Sequence, residues 1–234
     1  LNGRIIRDNE IERCRVPVIG KLKVGYKTDK GYPQSVDYFI PDGNYKHLFS
    51  DKFGAKPNDI PIVFLSDCLQ DVCNERLEIR TKNDNDAIGG RLFAFGNGKE
   101  FSVWKKEKKD YVFLSINDVP DLMAMCEQRT GNKWQSVLTL RFLIPDICQI
   151  LGVWQLTTKG ESSSIPQIRD AFDTVKNLSG SVTYKVFILS VDKVVSQKPD
   201  SKATYPVIKI YPKINDTKKF SALVSGQNVI EYKE

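Results

Sequence analysis

A chain of 234 residues with 41% hydrophobic and 27% charged residues can bury a sizeable core, and this balance excludes overall disorder. No apolar run approaches the ~20 residues a membrane helix needs. The opening LNGRIIRDNEIERCR is charged throughout and does not read as a signal peptide, so a cytoplasmic protein is expected. The net charge of +6 is moderate: its lysines read first as solubilising exposed strands and turns and only then as a face for nucleic acid or an acidic partner. Cys14, Cys68, Cys73, Cys126 and Cys148, odd in number and scattered, argue against a disulfide framework.

Residues 1–15 form an expected N-terminal arm, 16–213 the core, and 214–234 a polar tail. In the core, Leu22 and Val24 alternate with Lys21 and Lys23, TDKG supplies a turn, and Val36, Tyr38 and Ile40 alternate again. That pattern predicts a basic β-hairpin. NYKHLFSDKFG predicts a short helix capped by Asn44 and stopped at Gly54. IPIVFLS reads as a buried strand, and ERLEIRT as a strand alternating charge with Leu77 and Ile79. KNDNDAIGG, residues 82–90, is loop-like, and 82–99 is where two subdomains of the core would meet.

RLFAFG and FSVWKK predict two further strands, and YVFL after the KKEKK cluster a third. Within Ser115 to Arg129 a helix is expected, with Asn117 or Asp118 as cap, Pro120 in the first turn, and Leu122, Met125, Cys126 and Arg129 at helical spacing. SVLTLRFLIP and GVWQLTT are strand-like. After Lys159-Gly160 comes a serine run in which Ser164 and Gln167 form an S-x-x-Q capping box. Ile165, Ile168, Phe172 and Val175 then share one helical face, and Ser179-Gly180 ends it. VTYKVFILSVDKVVS and ATYPVIKIYPK are two strong strands in a lysine-rich region. The expected class is α+β, mainly antiparallel β-sheet with about three short helices.

The search for chemistry returns little. G-x-S-x-G is absent around Ser162 to Ser164, and the single histidine, His47, lies in an apparent helix beside apolar residues. One histidine beside Cys68 and Cys73 does not complete a zinc set. Neither nucleotide-binding glycine motif is present, so Lys159, Gly160 and the hydroxyls read first as a helix start and only then as an anion site. Asp67, Asp71, Glu75 and Glu78 are the densest acids, without a metal-binding spacing. Trp104, Trp134 and Trp154 are core candidates before they are binding anchors.

GKLKVGYKTDKGYPQSVDYFIP, HLFSDKFGAKPNDIPIVF, VLTLRFLIP, GVWQLTTKGESSSIPQIRDAF and SQKPDSKATYPVIKI follow one another in order. From about Val18 to Lys213 this series resembles the phage recombination directionality factors, partners of large serine integrases. The most specific pieces are TTKG-x-SSIPQIRD, the GYP…DYF hairpin and the FGAKP turn. The resemblance implies a non-enzymatic regulator, without cofactor, metal, membrane or small-molecule substrate. Such a regulator binds the integrase near its coiled-coil arm and meets DNA indirectly, through the integrase–att site complex. It would favour attL × attR excision over attP × attB integration. On the matched motifs the implied partner-binding residues are Lys159, Ser162, Gln167 and Arg169 at the helix start, and Tyr32, Pro33 and Tyr38 in the hairpin. The competing expectation is a phage replication or repair accessory that binds single-stranded DNA through the basic strand region and its tyrosines.

Overall fold

The computed structural model describes residues 16–82, 90–147, 149–196 and 203–213. The expected arm and tail, Cys14, Cys148 and all but the ends of the 82–90 loop lie outside these residues. Eleven strands and four helices form among the described residues: β1 (Val18–Lys27), β2 (Pro33–Asp42), α1 (Lys46–Phe53), β3 (Asp59–Val63), α2 (Leu69–Val72), β4 (Cys73–Arg80), β5 (Leu92–Gly96), β6 (Glu100–Lys105), β7 (Asp110–Ser115), α3 (Leu122–Thr130), β8 (Gln135–Phe142), β9 (Val153–Thr158), α4 (Ser164–Ser179), β10 (Val186–Val195) and β11 (Thr204–Pro212). The fold is α+β and mostly antiparallel, as its strand-rich sequence predicts; the one-turn α2 is the helix that the periodicity does not reveal.

An eight-stranded sheet runs β2-β1-β9-β8-β4-β5-β6-β7, and a three-stranded sheet β11-β10-β3. Every pairing in the large sheet is antiparallel except β1 with β9, which is parallel. The sheets meet where Val63 of β3 bridges Leu143, just beyond β8.

The strand period of two sorts the side chains. On the inner face of the large sheet, Leu22, Leu156, Leu140 and Cys73 form one cross-strand row, and Trp154 and Phe142 belong to the next. Ile62 with Phe187, and Ile60 with Leu189 and Ile210, form rows of the small sheet. These rows, together with Phe49 of α1 and the Ile165, Ile168, Phe172 and Val175 stripe of α4, make one buried cluster. Phe64 meets Phe172 and Phe187 edge-on at its centre. The apolar spacing of α4 thus does what amphipathic periodicity predicts, and Gly180, left-handed at φ 73°, ends the helix where expected. A second cluster lies further along the same sheet, where α3 packs Leu122 and Cys126 against Ile79, Ala94, Phe101 and Val103. Gly20 is required by the first cluster, because a Cβ there would stand 2.4 Å from the Trp154 ring.

Three local expectations need correction. Val36 and Ile40 do not share a regular alternating face with Tyr38. The β1–β2 register slips between Lys23 and Gly25, which pair with Ile40 and Ser35, so β2 carries extra residues and buries Val36 and Phe39 instead. α1 starts at Lys46 with Tyr45 in the cap position and no side-chain cap from Asn44. α3 starts only at Leu122, because residues 115–119 fold as a turn in which the Val119 N–H donates to the Ser115 carbonyl at 3.0 Å; Met125 consequently points to solvent.

Candidate partner-binding surface

Strand direction gathers Tyr32, Pro33 and Lys159 at one end of the large sheet. β1 and β9 run parallel, β8 opposes β9, and β4 opposes β8. The end where β9 finishes therefore also holds the β1–β2 turn, the start of β8 and the finish of β4. The turn is closed by the Gly31 N–H to the Thr28 carbonyl at 2.7 Å and by the Tyr32 N–H to Thr28 Oγ1 at 3.2 Å. This leaves Tyr32 69% exposed at the tip. Pro33 opens β2, which is an edge strand and tolerates a residue without an N–H.

Lys159 follows β9 directly, is exposed, and donates from Nζ to Gln135 Oε1 at 2.7 Å. Ser162 is exposed in the turn before α4, and Gln167 is exposed on the helix. Arg169 lies apart from these, over the cleft between α4 and β4. Its guanidinium is 3.7 Å from Glu75. Tyr38 also lies apart, half-buried in mid-strand with Lys56 Nζ 5.6 Å from its ring centre, and the neighbouring Phe39 N–H donates to the Pro57 carbonyl at 2.8 Å. The DYF and FGAKP stretches thus touch each other and support the hairpin rather than line its tip.

The S-x-x-Q motif works differently from its expected role. Ser163 occupies the cap position with no side-chain cap bond. Ser164, 2% exposed, instead accepts the Ile208 N–H at 2.9 Å, joining α4 to β11. The acidic group also separates. Asp67 accepts the Val182 N–H at 2.6 Å and the Ser181 hydroxyl at 2.8 Å, closing the turn after α4. Burial pushes its carboxyl up, but those bonds together with Thr183 hold it below the ordinary value. Glu75 and Glu78 lie an odd number of residues apart and face opposite sides of β4. Among the described residues no group of three or more His, Cys, Asp or Glu could hold a metal ion. Burial pushes the Cys73 thiol up to about 12, so it remains protonated.

Sequence reasoning missed what surrounds Lys159. Arg76, Glu78 and Arg80 share the outer face of β4. Glu78, its side chain 7% exposed, receives Arg76 on one oxygen at 2.7 Å and Arg80 on the other at 3.0 Å. Burial works to raise its pKa, but the two guanidinium groups outweigh it and hold the carboxyl below its ordinary value. Asn132 Nδ2 donates to the Arg80 carbonyl at 2.8 Å, fastening the α3–β8 connection to the end of β4. The result is a cavity of about 420 Å³ lined by Glu78, Arg80, Lys82, Lys133, Gln135 and Lys159 among others. The alternation of R-L-E-I-R was the available signal for the triad; nothing local announced Lys133 or Lys159 beside it.

A mostly antiparallel α+β protein with a cationic, partly concave sheet end is the class these features define. The chain belongs to the Gp3-like family, described as recombination directionality factor-like, whose model matches residues 19–213. That range takes in the four helices among the described residues and both sheets but for Val18 at the start of β1. No curated protein and no solved structure matches the chain.

Proposed function

We propose that this chain is a recombination directionality factor that binds a large serine integrase and switches it from attP × attB integration to attL × attR excision. The family match over residues 19–213 carries this reading. In this reading the sheet end bearing Tyr32, Pro33, Lys159 and Ser162 faces the integrase near its coiled-coil arm, and DNA is engaged through the integrase. The chain acts in the bacterial cytoplasm and performs no chemistry of its own. No helix among the described residues is long and apolar enough to cross a membrane. Control of direction then reduces to a difference in affinity for two integrase arrangements. A 100-fold change in preference requires about 2.7 kcal/mol, within reach of one modest interface.

The test uses the serine integrase encoded nearest to this chain in its genome. Excision of attL with attR is expected only when the chain is added, with attP × attB joining suppressed. A reaction indifferent to the chain, with no complex formed, removes this reading. Single-strand DNA binding has one observation in its favour, the exposed Tyr205 and Tyr211 on one face of β11. Between them, however, Lys209 is held by Asp192 at 2.7 Å, which weakens the strip as a track for a phosphate backbone.

A further inference from the structure

We propose that the cavity framed by Arg80, Lys82, Lys133 and Lys159 receives carboxylate side chains from an acidic segment of the integrase. The inference rests on the reading above and specifies the chemistry of its interface.

Four cations and one carboxylate line the cavity. Arg80 is already committed, with Nε and Nη2 on Glu78 and Nη1 within 3.4 Å of the Gly90 carbonyl. Lys133 is paired with Glu127 at 2.5 Å. Among the described residues Lys159 has only the neutral Gln135 as its hydrogen-bond partner, and neither Lys159 nor Lys82 has a carboxylate within 4.0 Å. The Lys82 side chain lies against Gly131, where a Cβ would stand 2.8 Å from Cε. Two ammonium groups without a carboxylate partner among the described residues therefore open on one concave space whose protein walls focus their field, and an anion entering it relieves their mutual repulsion.

The committed groups choose between anions. A nucleic-acid backbone is followed by a stripe of cations making successive phosphate contacts, and arginine forks suit phosphate best. Here the cations converge on one cavity, the only arginine among them has its fork on Glu78, and Glu78 and Glu127 place negative charge at the wall and rim. A run of phosphates would meet those acids. Single carboxylates, reaching in from a protein surface, meet the two ammonium groups without requiring a planar fork.

The experiment compares the full chain with its Lys82→Gln/Lys159→Gln variant. It measures affinity for the purified integrase across salt concentration, affinity for an att-site duplex alone, and the melting curve. The expected result is a roughly 10-fold or greater loss of integrase affinity at low salt, a flatter salt dependence and an unchanged melting curve. Replacing acidic residues on the integrase surface by lysine, one at a time, should yield a change that restores binding to Lys159→Glu. If the double variant binds integrase like the parent, the cavity is unused and the inference falls while the directionality reading stands. If it instead loses affinity for the duplex with integrase binding intact, the cavity serves phosphates. If the parent chain binds no integrase, the functional reading itself fails and takes this inference with it.

Discussion

Glu78 shows how much one residue can fix. Its carboxylate is buried between two arginines that are themselves 36% and 39% exposed. Glu78→Gln leaves two guanidinium groups with a weaker acceptor, but both can still hydrate. The expected cost is about 1–2 kcal/mol, below the figure for a fully buried pair, and chemical denaturation measures it. The folded-state pKa of Glu78 lies below its ordinary 4.5. Its contribution is therefore complete above that pH and lost as the pH falls through the depressed folded value. The wild-type chain should lose stability on acidification below pH 4.5 more steeply than Glu78→Gln, as read from denaturation midpoints at a series of pH values. Ser164 offers a second test of the same kind. Ser164→Ala strands the buried Ile208 N–H, at a cost of about 1–3 kcal/mol. Gln167→Ala, on the exposed side of α4, should stay within about 0.5 kcal/mol of wild type. Equal losses in the two variants would restore the capping-box reading.

Among the elements, the β1–β9 seam leaves no room for a side chain at Gly20. A methyl group at Gly20 meets Trp154, which is 1% exposed and has no room to retreat. Gly20→Ala should cost about 1–3 kcal/mol and lower the melting temperature, whereas Tyr32→Ala at the hairpin tip should not move it. Under the proposed function Tyr32→Ala weakens integrase binding instead, measured by titration. Elements whose signal is local were legible in the sequence. The stripe of α4 and its terminal glycine lie within one stretch of chain, and period and stop agree. The face of β2 is not legible locally because its bulge changes the phase of alternation, and only pairing with β1 reveals a bulge. Ser164 reads as a cap of its own helix because its partner Ile208 is remote in sequence. The cavity around Lys159 was invisible for the same reason, since it assembles from the end of β4, the α3–β8 connection, the start of β8 and the β9–α4 turn.

At the scale of the whole molecule, the α4–β4 cleft and the sheet end make separable predictions. Among the described residues Arg169 makes only solvent-accessible pairs, with Glu75 at 3.7 Å and Asp170 at 4.0 Å, and such pairs contribute at most about 1 kcal/mol. Arg169→Ala should therefore leave the melting curve nearly intact. If the α4–β4 cleft is part of the interface, the same variant binds integrase more weakly and supports less attL × attR excision; loss of folding would return the motif to a structural role. The parallel pairing of β1 with β9 also has a meaning in time. Residues 18–22 find their neighbours only at residues 153–156, so the hairpin that begins the sheet must wait, unpaired on one side, until most of the chain has been synthesised. Closure of such a distant pairing is slow relative to hairpin formation. The nascent chain spends that interval with one edge of β1 open, and β9 is the strand whose arrival closes that edge against pairing with another chain.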